Sequence, residues 1–213
     1  DDAGASWRQL EGVRPFLLMK GVEFLNGRFV ICCANGLIWS SDGLTWTEAF
    51  PPAARGRWWY RAAWGRGRYV FASDEAVLSC SAQFDDWQTT TQKAQNTSGT
   101  RSPFLVFDGA RFALSGTFSG AAVSVDGVNW TPKYATLSFN AGGSARMNGR
   151  YLAARNQGGL CISEDGTDWA SFSALRNSTE GTGIAVAHSL GCFVVGKSSD
   201  GRTTNEGGIG IFS

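Results

Sequence analysis

The side chains able to do chemistry are few in this chain, and their spacing does not favour catalysis. His188 is the single imidazole among 213 residues. No Ser or Cys motif stands with it as a nucleophilic triad would require, so it is expected to be a turn residue after an apolar run. Hydrolysis of a glycosidic bond needs two carboxyl groups facing each other across that bond. Of the segments expected to line a central channel, only Glu23 carries an acid outright, with Asp108 at a strand end. One carboxylate cannot serve as both acid and nucleophile. Cys32, Cys33, Cys80, Cys161 and Cys192 form no CxxC pair, and each sits in an apolar run. There a thiol packs as a small hydrophobe. Buried free thiols are expected, with one disulfide as the alternative, and neither a metal site nor a cofactor is implied.

Binding chemistry is better supplied. Arg55, Arg57, Trp58, Trp59, Asn96, Tyr134, Arg176, Asn177, Asp200, Arg202 and Asn205 lie in segments that break the pattern of the chain. An aromatic face beside guanidinium and amide donors suits a glycan or a protein surface. The competing expectation is that Trp58 and Trp59 pack inside the fold while the polar groups face water. Arg28, Arg68, Arg111 and Arg150 recur at one position. They could form an anion-binding ring, but stacking on aromatics or bonding turn carbonyls is expected, because scaffold repetition explains them without a ligand. Asn96-Thr97-Ser98 and Asn177-Ser178-Thr179 are glycosylation sequons in expected surface loops.

The elements that must position these groups repeat along the chain. A turn followed by Arg and an aromatic reads Asn26-Gly27-Arg28-Phe29, Arg66-Gly67-Arg68-Tyr69, Gly109-Ala110-Arg111-Phe112, Asn148-Gly149-Arg150-Tyr151 and, with Cys for Arg, Leu190-Gly191-Cys192-Phe193. The aromatics are 40, 43, 39 and 42 residues apart. A period near 41 is the length of a four-stranded propeller blade. A second landmark follows: Ser40-Ser41-Asp42-Gly43-Leu44-Thr45-Trp46, then Ser124 to Asp126, Gly127 and Trp130, then Ser163 to Asp165, Gly166 and Trp169. The second repeat carries a degraded version from Ser79 to Asp86 and Trp87. In each, Asp is expected to accept amide hydrogen bonds of its own turn, Gly to take positive φ, and Trp to fill the space between blades.

This motif resembles the Asp-box, or BNR-like, repeat of sialidases, sortilin-type receptors and many bacterial and phage propellers. There S-x-D-x-G-x-x-W is usual; here Asp and Gly adjoin. The resemblance spans nearly the whole chain and implies a β-propeller; the five repeats lead to the expectation of an all-β, five-bladed propeller of one domain, with blades near 14–50, 58–91, 102–134, 143–173 and 183–213 plus 1–10. The fifth repeat stops at Ser213, and Asp2, Gly4 and Trp7 supply the missing part of its box. The N-terminal segment is therefore expected to complete the last blade and remove an open edge. Sialidase chemistry would need an arginine triad and a Tyr nucleophile paired with Glu. Here Tyr60, Tyr69 and Tyr151 fall at repeated strand positions, leaving Tyr134 as the loop-borne tyrosine.

A non-enzymatic binding or structural module is the expected function, with a glycoside hydrolase as the alternative. Its partner would be a glycan or protein surface, within a larger particle such as a phage tail, fibre or capsid, or on a cell surface. The formal net charge of +1 gives no bulk attraction to nucleic acid, and no apolar run has the length to insert into a membrane. The chain does not open with Met and is expected to be a processed product, a fragment or a domain.

Overall fold

Asn26-Gly27, Arg66-Gly67 and Asn148-Gly149 all take positive φ, between 50° and 78°. That is the two-residue hairpin turn whose twist suits antiparallel strands. In the computed structural model, these turns join the first two strands of the first, second and fourth sheets. The structure describes residues 18–73, 76–91, 103–115, 120–134, 141–155, 160–172, 183–189, 192–197 and 208–212.

The first sheet holds β1 (Met19–Leu25), β2 (Arg28–Cys33), β3 (Gly36–Ser40) and β4 (Thr47–Ala49). The second holds β5 (Trp59–Gly65), β6 (Arg68–Ser73), β7 (Ala76–Ser81) and β8 (Gln88–Thr91). β9 (Phe104–Phe107), β10 (Phe112–Ser115), β11 (Gly120–Ser124) and β12 (Thr131–Tyr134) form the third. β13 (Ala141–Met147), β14 (Arg150–Arg155), β15 (Leu160–Ser163) and β16 (Ala170–Phe172) form the fourth. A three-stranded sheet follows, of β17 (Gly183–Ser189), β18 (Cys192–Lys197) and β19 (Gly208–Phe212). All are antiparallel and pair in chain order. Among the described residues the one helical element is a 3-10 turn, Pro52–Ala54.

The core lies between sheets, and strand periodicity builds it. Along β6, Tyr69 and Phe71 point to a cluster shared with the first sheet, including Val30, Cys32 and Leu37. Val70 and Ala72 alternate with them and pack on Leu105, Phe112 and Leu114 of the third sheet. Phe104 then meets Tyr151, Cys161 and Trp169 of the fourth. Phe71 and Phe112 are fully buried, each contributing about 2–3 kcal/mol of apolar burial. The outward face of the first sheet is the exception. Val22 and Phe24 are 62% and 63% exposed, whereas Ala62 and Leu105, opposite Val22 in the repeat, are 5% and 7% exposed.

Two local features depart from the sequence reading. The outer strand of the first sheet begins at Thr47 rather than Thr45, because the Thr45 amide is taken by Asp42 Oδ1 at 2.8 Å. Four inner strands also carry a register slip near their start, between Met19 and Gly21, Trp59 and Arg61, Ala141 and Gly143, and Gly183 and Ala185. Such bulges turn side chains at a sheet rim. Gly21 is required at the first, since a Cβ there would run into the carbonyl of Tyr60 on the neighbouring sheet.

The turns between third and fourth strands follow one plan in three sheets. Ser40 Oγ accepts the Gly43 amide at 2.8 Å, and Asp42 Oδ1 accepts those of Leu44 and Thr45, each at 2.8 Å. The same bonds recur around Ser124 and Asp126 and around Ser163 and Asp165. Hydrogen bonds from Thr45 and Leu44 hold the exposed Asp42 carboxyl down at about 2. Trp169 is buried, and its indole N–H donates to Ser115 Oγ at 2.9 Å across the sheet boundary. Trp130 packs against the cluster between second and third sheets.

The second repeat needs a correction. Phe29, Phe112 and Tyr151 lie opposite Ser40, Ser124 and Ser163, but Tyr69 lies opposite Cys80. Cys80, not Ser79, therefore occupies the serine position, and a thiol there is fully buried. The turn is held otherwise: Arg68 grips Asp86 at 2.7 Å, and Phe84 stacks on Trp39 and Tyr69. Trp87 packs against Phe71. Phe84 and Asp86 both take left-handed backbone, at φ 59° and 48°, in place of a glycine.

Candidate functional site

Two places gather side chains that the repeat does not demand. The first is the rim where the first two sheets meet. Asn35, in the turn after β2, accepts the Gly56 amide on Oδ1 at 2.7 Å and donates its own N–H to the Arg57 carbonyl at 2.8 Å. Ala34 bridges to Trp58. These bonds clamp residues 55–58 to the first sheet, and the Lys20 amine sits 4.2 Å from the Trp58 ring centroid. Arg55 is exposed and Arg57 half-buried, with its Nε shielded from water and without a hydrogen-bond partner.

Trp59 does not belong to this surface. It is 1% exposed, sits in the core between the first two sheets, and donates its indole N–H to the Ala54 carbonyl at 3.1 Å. Trp58, by contrast, is half-buried. Tyr134 ends β12, paired with Gly120, so it is a strand residue rather than a loop one. Asn96, Arg176, Asn177, Asp200, Arg202 and Asn205 lie outside the described residues, as do Asp2, Gly4 and Trp7.

The repeated arginines are occupied by the scaffold. Arg28 donates to the Ala82 carbonyl and lies over the Trp39 ring at 4.7 Å. Arg111 lies 3.6 Å from Asp108 and 3.9 Å from Asp165, and Arg150 3.6 Å from Glu164. Cys32, Cys33, Cys80 and Cys161 are buried free thiols. Burial pushes Cys33 up to about 11 and Cys80 up to about 12, so neither is a nucleophile at neutral pH. No group of three His, Cys, Asp or Glu placed to hold a metal ion occurs among the described residues. No described helix is long and apolar enough to cross a membrane.

The second place is a cavity of about 220 Å³ where β1, β5, β9 and β13 converge. Glu23 and Arg61 face each other in it at 3.7 Å. Burial pushes the Glu23 carboxyl up, against the pull of Arg61. Arg146 enters from the fourth sheet with its guanidinium 5.4 Å from the Tyr151 ring centroid. The Tyr151 hydroxyl is buried and has no hydrogen-bond partner. Sequence reasoning picked out Glu23 but missed Arg61 and Arg146. The available signal was register: Arg146 stands where the first three inner strands carry Phe24, Trp64 and Phe107, and where the fifth carries His188.

Successive antiparallel sheets whose inner strands lie side by side around a cavity define a β-propeller. Solved structures bear this out. A streptogramin B lyase matches with a TM-score of 0.73 at 11% identity, over 100% of this chain and 74% of that one. YCF48 from Cyanidioschyzon merolae matches at 0.58 and 12% identity, over 92% of this chain and 72% of that one. A YCF48 bound to D1 peptide matches at 0.61 and 13%, over 92% and 67%. At such identities the likeness shows the fold alone. No family model matches the sequence, and no curated protein does.

Proposed function

We propose that this chain is a five-bladed propeller that binds a partner surface through its irregular rim and performs no chemistry. The observation that carries the reading is the rim cluster of Lys20, Arg55, Arg57 and Trp58. Among the described residues no carboxylate lies within 4.0 Å of these cations, and two sheets cooperate to hold them. Cations around an aromatic face suit an acidic protein segment or an acidic glycan. A protein partner has a parallel in the YCF48 that was solved with a peptide. A virion part, such as a phage tail, fibre or decoration, or a cell-surface module is the setting this role fits.

Ring closure belongs to the same proposal. Each inner strand of the second and third sheets is covered by the sheet before it, whereas Val22 and Phe24 of the first are exposed. Closure would cover them with the inner strands of the fifth sheet, and residues 1–10, with Asp2, Gly4 and Trp7, would supply that sheet's fourth, outer strand. The glycoside hydrolase alternative is not favoured, because the described cavity lining offers a single carboxylate, Glu23, already facing Arg61.

Titration against a glycan array and a panel of acidic peptides tests the function. Saturable, salt-sensitive binding that falls in an Arg55→Ala, Arg57→Ala, Trp58→Ala variant of unchanged melting temperature is expected. Equal binding by that variant sinks the rim reading, and turnover of sialosides or aryl glycosides sinks the non-enzymatic one.

A further inference from the structure

We propose that the central cavity is a binding site for a carboxylate carried on an aromatic or aliphatic body, with the Arg146 guanidinium as partner of the anion. This site is separate from the rim and stands or falls without it.

Four observations converge. The cavity holds about 220 Å³, room for a fragment-sized group rather than a chain of sugars. Its lining is mixed: Ala62, Ala63, Leu105 and Val106 offer an apolar surface beside the charged groups of Glu23, Arg61 and Arg146. Its charges do not cancel: Glu23 faces Arg61 at 3.7 Å, while no described carboxylate lies within 4.0 Å of Arg146. Asp108 feels Arg146 only at longer range, which leaves the guanidinium open to direct contact with a monoanion, and a dianion would have to meet Glu23 as well. Finally, the Tyr151 hydroxyl in the same wall is buried without a partner. An unpaired buried donor costs about 1–3 kcal/mol. A small shift of the ring would let the hydroxyl donate a hydrogen bond to an anion seated on Arg146.

The repeat sharpens the argument. At the register position of Arg146 the first three inner strands carry Phe24, Trp64 and Phe107. An aromatic side chain thus satisfies the fold there, and the arginine is not needed to build the sheet. The exposed Arg146 guanidinium lies over the Tyr151 ring, and a guanidinium can offer a carboxylate two parallel bonds.

The full chain is titrated with phenylacetate, following the heat of binding and the intrinsic fluorescence to which Trp64 in the cavity wall contributes, with phenylacetamide as the uncharged control. Acetyl-Phe-Glu-Phe-amide and its Gln counterpart distinguish a side chain on a partner protein from a free small acid. Saturable binding of phenylacetate or the Glu peptide, at least about tenfold tighter than of its neutral counterpart, is expected from a charge-assisted bidentate contact. Arg146→Gln should lose that preference, Arg146→Lys should keep part of it, and Lys133→Ala, exposed on β12, should leave it intact. Binding of phenylacetate alone assigns the site to a free small acid, and binding of the peptide alone assigns it to a partner protein. Should Arg146→Gln fail to fold, the acid-against-amide contrast in the unaltered chain still decides. The proposal is overturned if neither acid saturates, if acid and amide bind alike, or if folded Arg146→Gln binds as the wild type does.

Discussion

Replacing Asp126 with Ala should lower the melting temperature by about 4–8 °C, a value that follows from the bonds lost. Oδ1 accepts the amide N–H of Val128 at 2.9 Å and of Asn129 at 2.8 Å, and Oδ2 accepts the Asn129 side-chain amide at 2.8 Å. Bonds to a charged group are worth about 1.5–3 kcal/mol each where water is excluded. Water reaches this turn and recovers much of that, so the whole loss is about 2 kcal/mol, as for a helix cap. In a domain of this length each kcal/mol moves the midpoint by about 2–4 °C. Asp126→Asn keeps one acceptor and loses the charge, so it should cost about half as much.

The pH dependence has a definite sign. Burial pushes the Asp126 carboxyl up, but hydrogen bonds from Asn129 and Val128 outweigh it and hold the group well below the usual carboxylate range. A depressed folded pKa contributes stability above the unfolded value and loses it as pH falls through the folded one. The gap between wild type and Asp126→Asn should therefore be full at neutral pH and narrow below about pH 4. Melts followed by near-ultraviolet circular dichroism measure it, with Trp130 in the same turn as reporter. An Asp126→Ala midpoint equal to wild type at neutral pH, or a gap that widens in acid, would refute the reasoning.

Trp59→Ala should cost about 3–5 kcal/mol of stability in urea unfolding, as for other buried aromatics, whereas Trp58→Ala should leave the midpoint nearly unchanged and weaken partner binding; equal costs would contradict the burial difference. Gly67 and Gly127 share φ 77°, but a Cβ on Gly67 meets open space while one on Gly127 comes within 2.7 Å of Val70. Gly67→Ala should cost about 1 kcal/mol and Gly127→Ala about 3 kcal/mol by the same measurement, and equal losses would show that packing adds nothing to the backbone strain. Because burial raises the Glu23 pKa, the wild type should lose stability as pH rises through that raised value. Glu23→Gln should then melt at or above the wild type at pH 7 and match it near pH 4, and a lower midpoint at pH 7 would mean that the Arg61 pair outweighs the burial.

The strands were legible because their information is local. Asn-Gly and Arg-Gly turns fix where inner strands end, and alternation such as Tyr69-Val70-Phe71-Ala72 marks a strand buried on both faces. What failed needed the neighbouring sheet. Cys80 stands where the other turns have Ser, and a one-residue insertion before Trp87 hid it, so Ser79 drew attention only through its hydroxyl. Trp58 and Trp59 are adjacent and identical in type, and only the bulge at the start of β5 decides which one enters the core. The rim arginines were visible as departures from the repeat. The cavity was not, since Arg61 and Arg146 lie 85 positions apart in the chain and read as ordinary strand residues.

Comparison across the repeat separates what the fold needs from what it tolerates. Glu23, Ala63, Val106, Ala145 and Ala187 hold equivalent register positions, opposite Val30, Val70, Ala113, Leu152 and Val194. Four sheets fill that position with an apolar side chain, so a carboxylate is no part of the scaffold. In the first sheet its ionisation is opposed by burial and only partly offset by Arg61. Well-packed apolar residues often replace buried ion pairs at no cost or with a gain in stability. Glu23 and Arg61 thus carry a penalty that their counterparts avoid, in the same cavity that holds Arg146 and the unpartnered Tyr151 hydroxyl. A cost borne at one register position of a repeated scaffold, and spared at the others, is what the proposed cavity site would account for and the sheet alone does not.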